Sequence, residues 1–386
     1  MRIQPPATLI ASDHDDHPWR LLAEEIKQWA KELGFQQCGI TNTDPGEHVD
    51  HLEEWLAQGF HGEMEWMRDH QAQRNNPRLL LEQAGRVISV RMNYLPENTR
   101  QISILKDPDK AYISRYALGR DYHKLIRKRL AKLGKRIAEY CESQRLLIDI
   151  NGLQQRPFVD SAPVLEKAYG EKAGLGWIGK NTLLLDEQAG SWFFLGEIIT
   201  NLPLPIDETQ KDNRCGSCEA CLKICPTDAF VAPYKLDASR CISYLTIELK
   251  GPIPLEFRGP MGNRVFGCDD CQLVCPWNKF AKPSTEKDFS PRHQLNEQQL
   301  IDLFMWTEPE YLTRTEGSPI RRIGYERWLR NLAVGLGNAA PSAQAKHALQ
   351  QRQDFDSAIV KEHIQWALEQ QHSLKKRQRK IRRPRS

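Results

Sequence analysis

The sequence predicts an α/β domain, then a small cysteine-rich domain of short loops, then a short all-helical cap. Three observations carry this expectation. Amphipathic helical segments alternate with β-rich runs up to about residue 205. Eight of the ten cysteines then fall within 61 residues, from Cys215 to Cys275. Beyond about residue 290 apolar residues recur at helical spacing only.

The first helix is WRLLAEEIKQWAKELG (19–34), apolar at helical spacing and stopped by Gly34. FQQCGI follows as a short strand. HLEEWLAQGFHGEMEWM (51–67) reads as a second helix, and RVISVRMNYLP (86–96) is β-rich and closed by Pro96. DYHKLIRKRLAKLGKRIAEYCES (121–143) is the longest amphipathic helix, with LLIDI as a strand after it. SWFFLGEIITNLPL (191–204) reads as a buried strand. In the cap, RRIGYERWLRNLAVGLGNA (321–339), SAQAKHALQQR and DSAIVKEHIQWALEQ read as stacked helices resembling one or two HEAT-type units. The expected division is a disordered lead (1–18), an α/β domain (19–205), a cysteine domain (206–285), a helical cap (286–372) and a basic tail (373–386).

Hydrophobic residues make up 40% and charged residues 27% of the 386, the composition of a soluble globular protein rather than a disordered one. No apolar run approaches the roughly 20 residues of a membrane span. The start, MRIQPPATLIASDHDDHPWR, lacks the basic-then-apolar order of a secretory signal, so a cytoplasmic monomer is expected. Net charge is +4, yet Lys375–Arg385 alone holds eight Lys and Arg. Setting these aside leaves 46 basic against 50 acidic residues. Such a tail is either a solvated terminus or an attractor for a polyanion.

Cys215, Cys218, Cys221 and Cys225 followed by Pro226 match C-x2-C-x2-C-x3-C-P, the run of bacterial ferredoxins. Cys268, Cys271 and Cys275 with Pro276 form a second run one cysteine short, and Cys241 fills the gap. The count closes on two 4Fe–4S clusters. Because the last cysteine of each run ligates the opposite cluster, one takes Cys215, Cys218, Cys221 and Cys275, and the other Cys225, Cys241, Cys268 and Cys271. Zinc ribbons show paired knuckles instead of a triple run ending in Cys-Pro. Cys38 and Cys141 read as inert buried thiols. A ferredoxin alone needs far fewer residues, so the electrons are expected to serve a site in the α/β domain.

That site is sought in RPFVDSAPVLEKAYGEKAGLGWIGKNTLLL (156–185). On the residues alone Asp160 reads as a helix cap, and Lys180 as an anion binder or a surface residue. Gly174, Gly176 and Gly179 permit close backbone approach, but they neither follow a strand nor open a helix, which excludes a dinucleotide fingerprint. This segment, SRYALGRDYHKLIRKRL, the eight cysteines and RRIGYERWLRNLAVGLGNA together resemble the epoxyqueuosine reductase family. Over the cobalamin and ferredoxin portions the sequence is also distantly similar to corrinoid reductive dehalogenases.

The resemblance implies a nitroreductase-like cobalamin-binding fold, a ferredoxin-like domain and a helical cap that binds the anticodon stem-loop of tRNA. It implies cobalamin as a cofactor, an external low-potential electron donor, and reduction of epoxyqueuosine to queuosine with Asp160 as proton donor. Arg74, Ser114, Tyr116, Asp121, Tyr122, His123, Asp160, Gly176, Lys180, Ser243, Tyr244, Asp269 and Asp270 fall where the corrin pocket should be. The common D-x-H-x-x-G cobalamin signature is absent, since Asp121-Tyr122-His123 lacks its glycine, so no histidine ligand to cobalt is assigned. Lys167 stands where the family pattern has arginine.

To donate near neutral pH, Asp160 is expected to have its pKa raised by burial. On the helix of 321–339, Trp328 is expected in the core and Arg327 and Arg330 on RNA. The rival readings are a dehalogenase-like reductase, a non-catalytic electron carrier, and a tRNA-binding protein with structural clusters only.

Overall fold

The structure, a computed structural model, describes residues 17–97, 100–146, 152–209 and 213–381, the last nine by their backbone alone. Most of the expected N-terminal lead, residues 147–150 of the LLIDI strand and the side chains of the basic tail lie outside the described residues. Among the described residues no helix is long and apolar enough to cross a membrane.

A four-stranded sheet organises the first half. Its spatial order is Gln37–Asn42, Arg86–Asn93, Phe193–Thr200 and Gln155–Phe158, each strand antiparallel to its neighbours. The two inner strands are rich in β-branched and aromatic residues and buried along nearly their whole length. Alternation splits them between two faces. Ile88 and Ile198 join the core under the long helix Tyr122–Ser143, whereas Val87 and Ile199 face the side of the short helix Glu166–Lys172.

The long helix buries Ile126, Leu130, Leu133 and Ile137 on the sheet. A Cβ on Gly196 would sit 3.0 Å from both Ile126 and Leu130, so this glycine lets helix and strand approach. Asp121 caps the helix by accepting from the His123 amide at 3.1 Å. The helix His17–Glu32 completes that core with Leu22, Ile26 and Ala30.

The stretch 51–67 is not one helix. His48–Ala57 and Glu65–Asp69 are separate, because Gly59 and Gly62 adopt φ of +71° and +58° between them. The break makes room for a ring: a Cβ on Gly62 would lie 2.5 Å from the Tyr244 hydroxyl.

In the cysteine-rich region the short helices Ala220–Ile224 and Asp270–Leu273 pack together and so join the two cysteine runs. Arg264–Phe266 pairs in parallel with Tyr112–Ile113. Beside it, Asn263 Nδ2 donates to the carbonyls of Ile104, Asp107 and Lys110 at 2.7–3.0 Å. The region is thereby stitched to the segment that precedes the long helix.

The C-terminal helices include Gly324–Asn338, Ala343–Gln351 and Ala358–Ile381. Trp328 is fully buried and stacks on Trp306 at a centroid separation of 5.9 Å. Arg330 corrects the expectation of an RNA contact. It is fully buried, and its guanidinium donates to the carbonyls of Leu245, Leu249 and Gly251 at 2.7–2.8 Å. Arg327 is likewise spent on the carbonyls of Ile247, Ile323 and Arg322. Helical periodicity shows which residues share a face; it does not reveal that carbonyls of another segment wait beneath that face.

Candidate active site

The first turn of the long helix and the strand exit at Asp160 meet beside the sheet. Asp160 is held in the left-handed region at φ +44°, a strained conformation for a residue other than glycine. Its Oδ2 lies 2.9 Å from His123 Nε2 and also accepts from the Tyr122 hydroxyl. His123 Nδ1 stands 2.7 Å from Asp121 Oδ1, and Arg322 donates to Asp121 Oδ2 at 2.9 Å. The Asp160 side chain remains half-exposed while His123 beneath it is buried.

These contacts set the protonation states. Burial acts to raise the pKa of Asp160, but the donors His123 and Tyr122 outweigh it and hold the carboxyl below its ordinary value. The expectation of an acid kept protonated by burial is thereby corrected: Asp160 is ionised here because two donors converge on one oxygen. Burial also opposes the charge of His123, yet the hydrogen bonds to Asp121 and Asp160 prevail and raise its pKa. For Asp121, burial is outweighed by the bonds from His123, which bring it down to about 2. The exchangeable proton therefore sits on His123 and the Tyr122 hydroxyl, next to Asp160.

A second cluster lies across Tyr116, whose ring meets both Tyr122 and Phe266 edge-on or tilted. There buried Asp269 accepts from the Tyr112 hydroxyl at 2.8 Å, the Arg115 amide at 2.9 Å and the Ser114 hydroxyl. Arg115 Nε is buried with no acceptor among the described residues, a donor to spare for a bound group such as the amide fringe of a corrin. Asp270 instead pairs with Arg264 at 2.8 Å. Arg74 is buried and donates to the carbonyls of Trp66 and Met67, and the Tyr244 hydroxyl accepts from the Glu63 amide. Ser243 is half-buried and precedes Tyr244 in the helix Ile242–Ile247.

Gly176 has no alternative at its position, since a Cβ would lie 2.0 Å from the Leu185 carbonyl oxygen. Lys180 donates to the carbonyls of Gly216 and Cys218 at 2.7 and 3.0 Å, which ties this loop to the first cysteine run. Lys167, the departure from the family pattern, donates to the Thr182 carbonyl at 2.8 Å.

A cavity of about 320 Å³ is lined by Cys215, Cys218, Cys221 and Cys275, with Trp277 and Asn181 beside them. Cys241 lies near Cys225 and Cys268, and Cys271 near Cys241 and Cys225. Among the described residues no three His, Cys, Asp or Glu side chains converge on a single-ion site. Trp177 Nε1 and Asn181 Nδ2 are buried donors without a partner among the described residues; Asn181 lines this cavity, where sulfide acceptors fit, and Trp177 packs edge-on against Trp277 of its lining. Burial pushes the remaining thiols of Cys38 and Cys141 up to about 12 and 11.

Sequence reasoning missed three participants. Arg322 reaches across to Asp121 and His123. Glu166 accepts from the Asp160 amide at 2.5 Å, and Glu197 is a fully buried acid in the middle of the sheet. A lone carboxylate in the apolar run FFLGEIIT was the signal available for the last of these.

A family model described as a 4Fe-4S double cluster binding domain matches residues 214–278, and one described as epoxyqueuosine reductase QueG matches residues 74–161. The first gives the chain two 4Fe–4S clusters. Epoxyqueuosine reductase of Pseudomonas aeruginosa is 59% identical over 347 residues, covering 90% of this chain and 94% of that one. The Escherichia coli K12 enzyme of the same name is 55% identical over 350 residues, covering 91% and 89%. Among solved structures, epoxyqueuosine reductase from Bacillus subtilis, with its catalytic loop swung out of the active site, superposes with a TM-score of 0.79 at 28% identity, covering 91% and 90%. An epoxyqueuosine reductase solved with an epoxyqueuosine-modified tRNA stem loop gives 0.79 at 26% identity and 95% coverage of each chain. With relatives this similar over nearly the whole length, the chain belongs to the epoxyqueuosine reductase family.

Proposed function

We propose that the chain reduces epoxyqueuosine to queuosine in the anticodon stem-loop of tRNA, with Asp160 delivering the proton. The reaction takes two electrons and two protons, breaks both C–O bonds of the epoxide, releases the oxygen as water and leaves a cyclopentene. The 4Fe–4S clusters carry electrons singly from an external low-potential donor, the first held by Cys215, Cys218, Cys221 and Cys275, the second by Cys225, Cys241, Cys268 and Cys271. Cobalamin, held by the segments around Ser114–Tyr116, Tyr122–His123, Gly176–Lys180 and Asp269, would supply a centre able to gather two reducing equivalents beside the substrate.

The chain's own residues manage the proton. His123, clamped between Asp121 and Asp160, holds a proton at Nε2 directed at Asp160 Oδ2. As negative charge develops on the departing oxygen, Asp160 passes that proton on, with the Tyr122 hydroxyl holding the carboxylate in place. His123, with a smaller contribution from Arg322, keeps Asp121 ionised. The remaining assignments follow the same reading: the helices beyond residue 286 form a HEAT-like cap on the RNA side, the basic tail adds non-specific attraction, and the enzyme works as a cytoplasmic monomer.

One observation carries the proposal: the Asp160 carboxylate collects both donors on one oxygen while half its side chain stays open. Asp160→Asn is the test. It should retain both clusters by visible absorption and lose about 100- to 10,000-fold in turnover of an epoxyqueuosine-containing stem-loop. Turnover near the wild-type rate would reduce Asp160 to a structural residue.

A further inference from the structure

Glu197 has no place in the mechanism above, yet its position is costly. It is fully buried on an inner strand, opposite Ser89 in the register, and Ser89 Oγ donates to its Oε1 at 3.2 Å. Its Oε2 is buried with no hydrogen-bond donor among the described residues. A carboxylate so placed is strongly disfavoured unless something neutralises it. The neighbour it has is Glu166, whose carboxyl is close enough that each bears on the other's protonation. Two carboxyls this close away from water share at least one proton, because both cannot ionise there. Glu166 Oε1 accepts from the Asp160 amide at 2.5 Å.

The chain of contacts thus runs from the middle of the sheet to the strained residue that faces the substrate. Asp160 needs an anchor, since its left-handed φ of +44° is unfavourable for a side chain with a Cβ. Nothing in the strand exit 156–160 supplies one: Pro157 has no amide, and the sheet ladder ends at Phe158.

We propose that Glu166 is a positioning residue for the reaction, holding the Asp160 loop by its backbone amide and itself pinned to the sheet by Glu197. This rests on the reading of Asp160 as the proton donor. The groups that face the pair are Asp160, His123 and Tyr122 from the loop and the long helix, Lys167 and Tyr169 from the helix Glu166–Lys172, and Ser89 from the adjacent strand. Burial and the charge of Asp160 push Glu166 up to about 8. At neutral pH the pair keeps its proton. Above that value Glu166 ionises first, and its charge raises Glu197 further, so the last proton of the pair stays on Glu197.

The test is kcat and KM on an epoxyqueuosine-containing stem-loop, with visible absorption of the clusters as the check on folding. Glu166→Ala should lower kcat about 10- to 100-fold with KM unchanged, the usual cost of a catalytic group displaced by about an ångström. Glu166→Gln should recover most of that loss, since its amide oxygen accepts from Asp160 and its NH2 donates to Glu197.

Wild-type kcat in Glu166→Ala, or Glu166→Gln as impaired as Glu166→Ala, would each overturn the assignment. Should Glu166→Ala not fold, Glu166→Met, which fills the space without an acceptor, takes its place, and wild-type kcat there overturns it. A dead Asp160→Asn beside a normal Glu166→Ala removes only the anchor. An active Asp160→Asn removes the reading of Asp160 itself.

Discussion

His123 Nε2 stands 2.9 Å from Asp160 Oδ2, and this contact decides how the site handles protons. With Asp121 at 2.7 Å on the other ring nitrogen, the imidazole is clamped between two carboxylates. A histidine so held keeps its proton to higher pH than a free one, and passes it toward whichever carboxylate gains basicity first.

The first prediction concerns that proton. Burial lowers the affinity of His123 for it, but the bonds to Asp121 and Asp160 raise it more. Activity that needs protonated His123 should be full below about pH 6.5 and fade as pH rises through the raised value. Asp121→Asn removes one of the two anions and should move that fall to lower pH. A kcat profile that does not move would take His123 out of the proton path.

Acid stability should report Asp121. Its pKa of about 2 against an ordinary 3.8 means that the native state favours the ionised form. A depressed carboxyl contributes stability that is present above about pH 4 and lost as pH falls toward 2. Asp121→Asn should cost on the order of 2 kcal/mol at neutral pH and show a flatter acid limb in thermal melts.

Cluster ligation gives a sharper test. Cys275→Ala should remove the cluster of Cys215, Cys218 and Cys221, because the four thiols line one cavity. Iron should fall from about eight to about four atoms per chain. If the first run keeps its cluster, the crossed assignment fails.

Arg330 should behave as a core residue. Its removal leaves the carbonyls of Leu245, Leu249 and Gly251 without donors in a buried site. Arg330→Ala should therefore destabilise by about 2–4 kcal/mol, seen as a lower Tm. An unchanged Tm with weaker RNA binding would return Arg330 to the RNA surface.

The tail should act by charge alone. Truncation before Lys375 should weaken tRNA binding and flatten its dependence on salt, with turnover of saturating substrate retained. An unchanged salt slope in filter binding would show that the eight cations do not meet phosphate.

What the sequence by itself determined is what local spacing encodes. Cluster chemistry was legible because ferredoxin cysteines sit at short fixed intervals that few other sites share, and FFLGEIIT and RVISVRMN announced inner strands through their apolar, β-branched character. The tertiary structure alone decided the rest. Asp160 was legible as a residue but not as a charge: its protonation depends on His123, 37 positions away, and on Tyr122. Arg322 meets Asp121 across 201 positions, and no periodicity reports a partner at that distance. Arg330 and Arg327 looked like RNA contacts because a helical wheel shows a face and not the carbonyls opposite it. The split of the 51–67 helix arose from the same cause, since Gly62 is needed only once the Tyr244 ring arrives from a distant segment. Short-range order follows from which residues are adjacent; pKa values, buried partners and anchors follow from which residues meet.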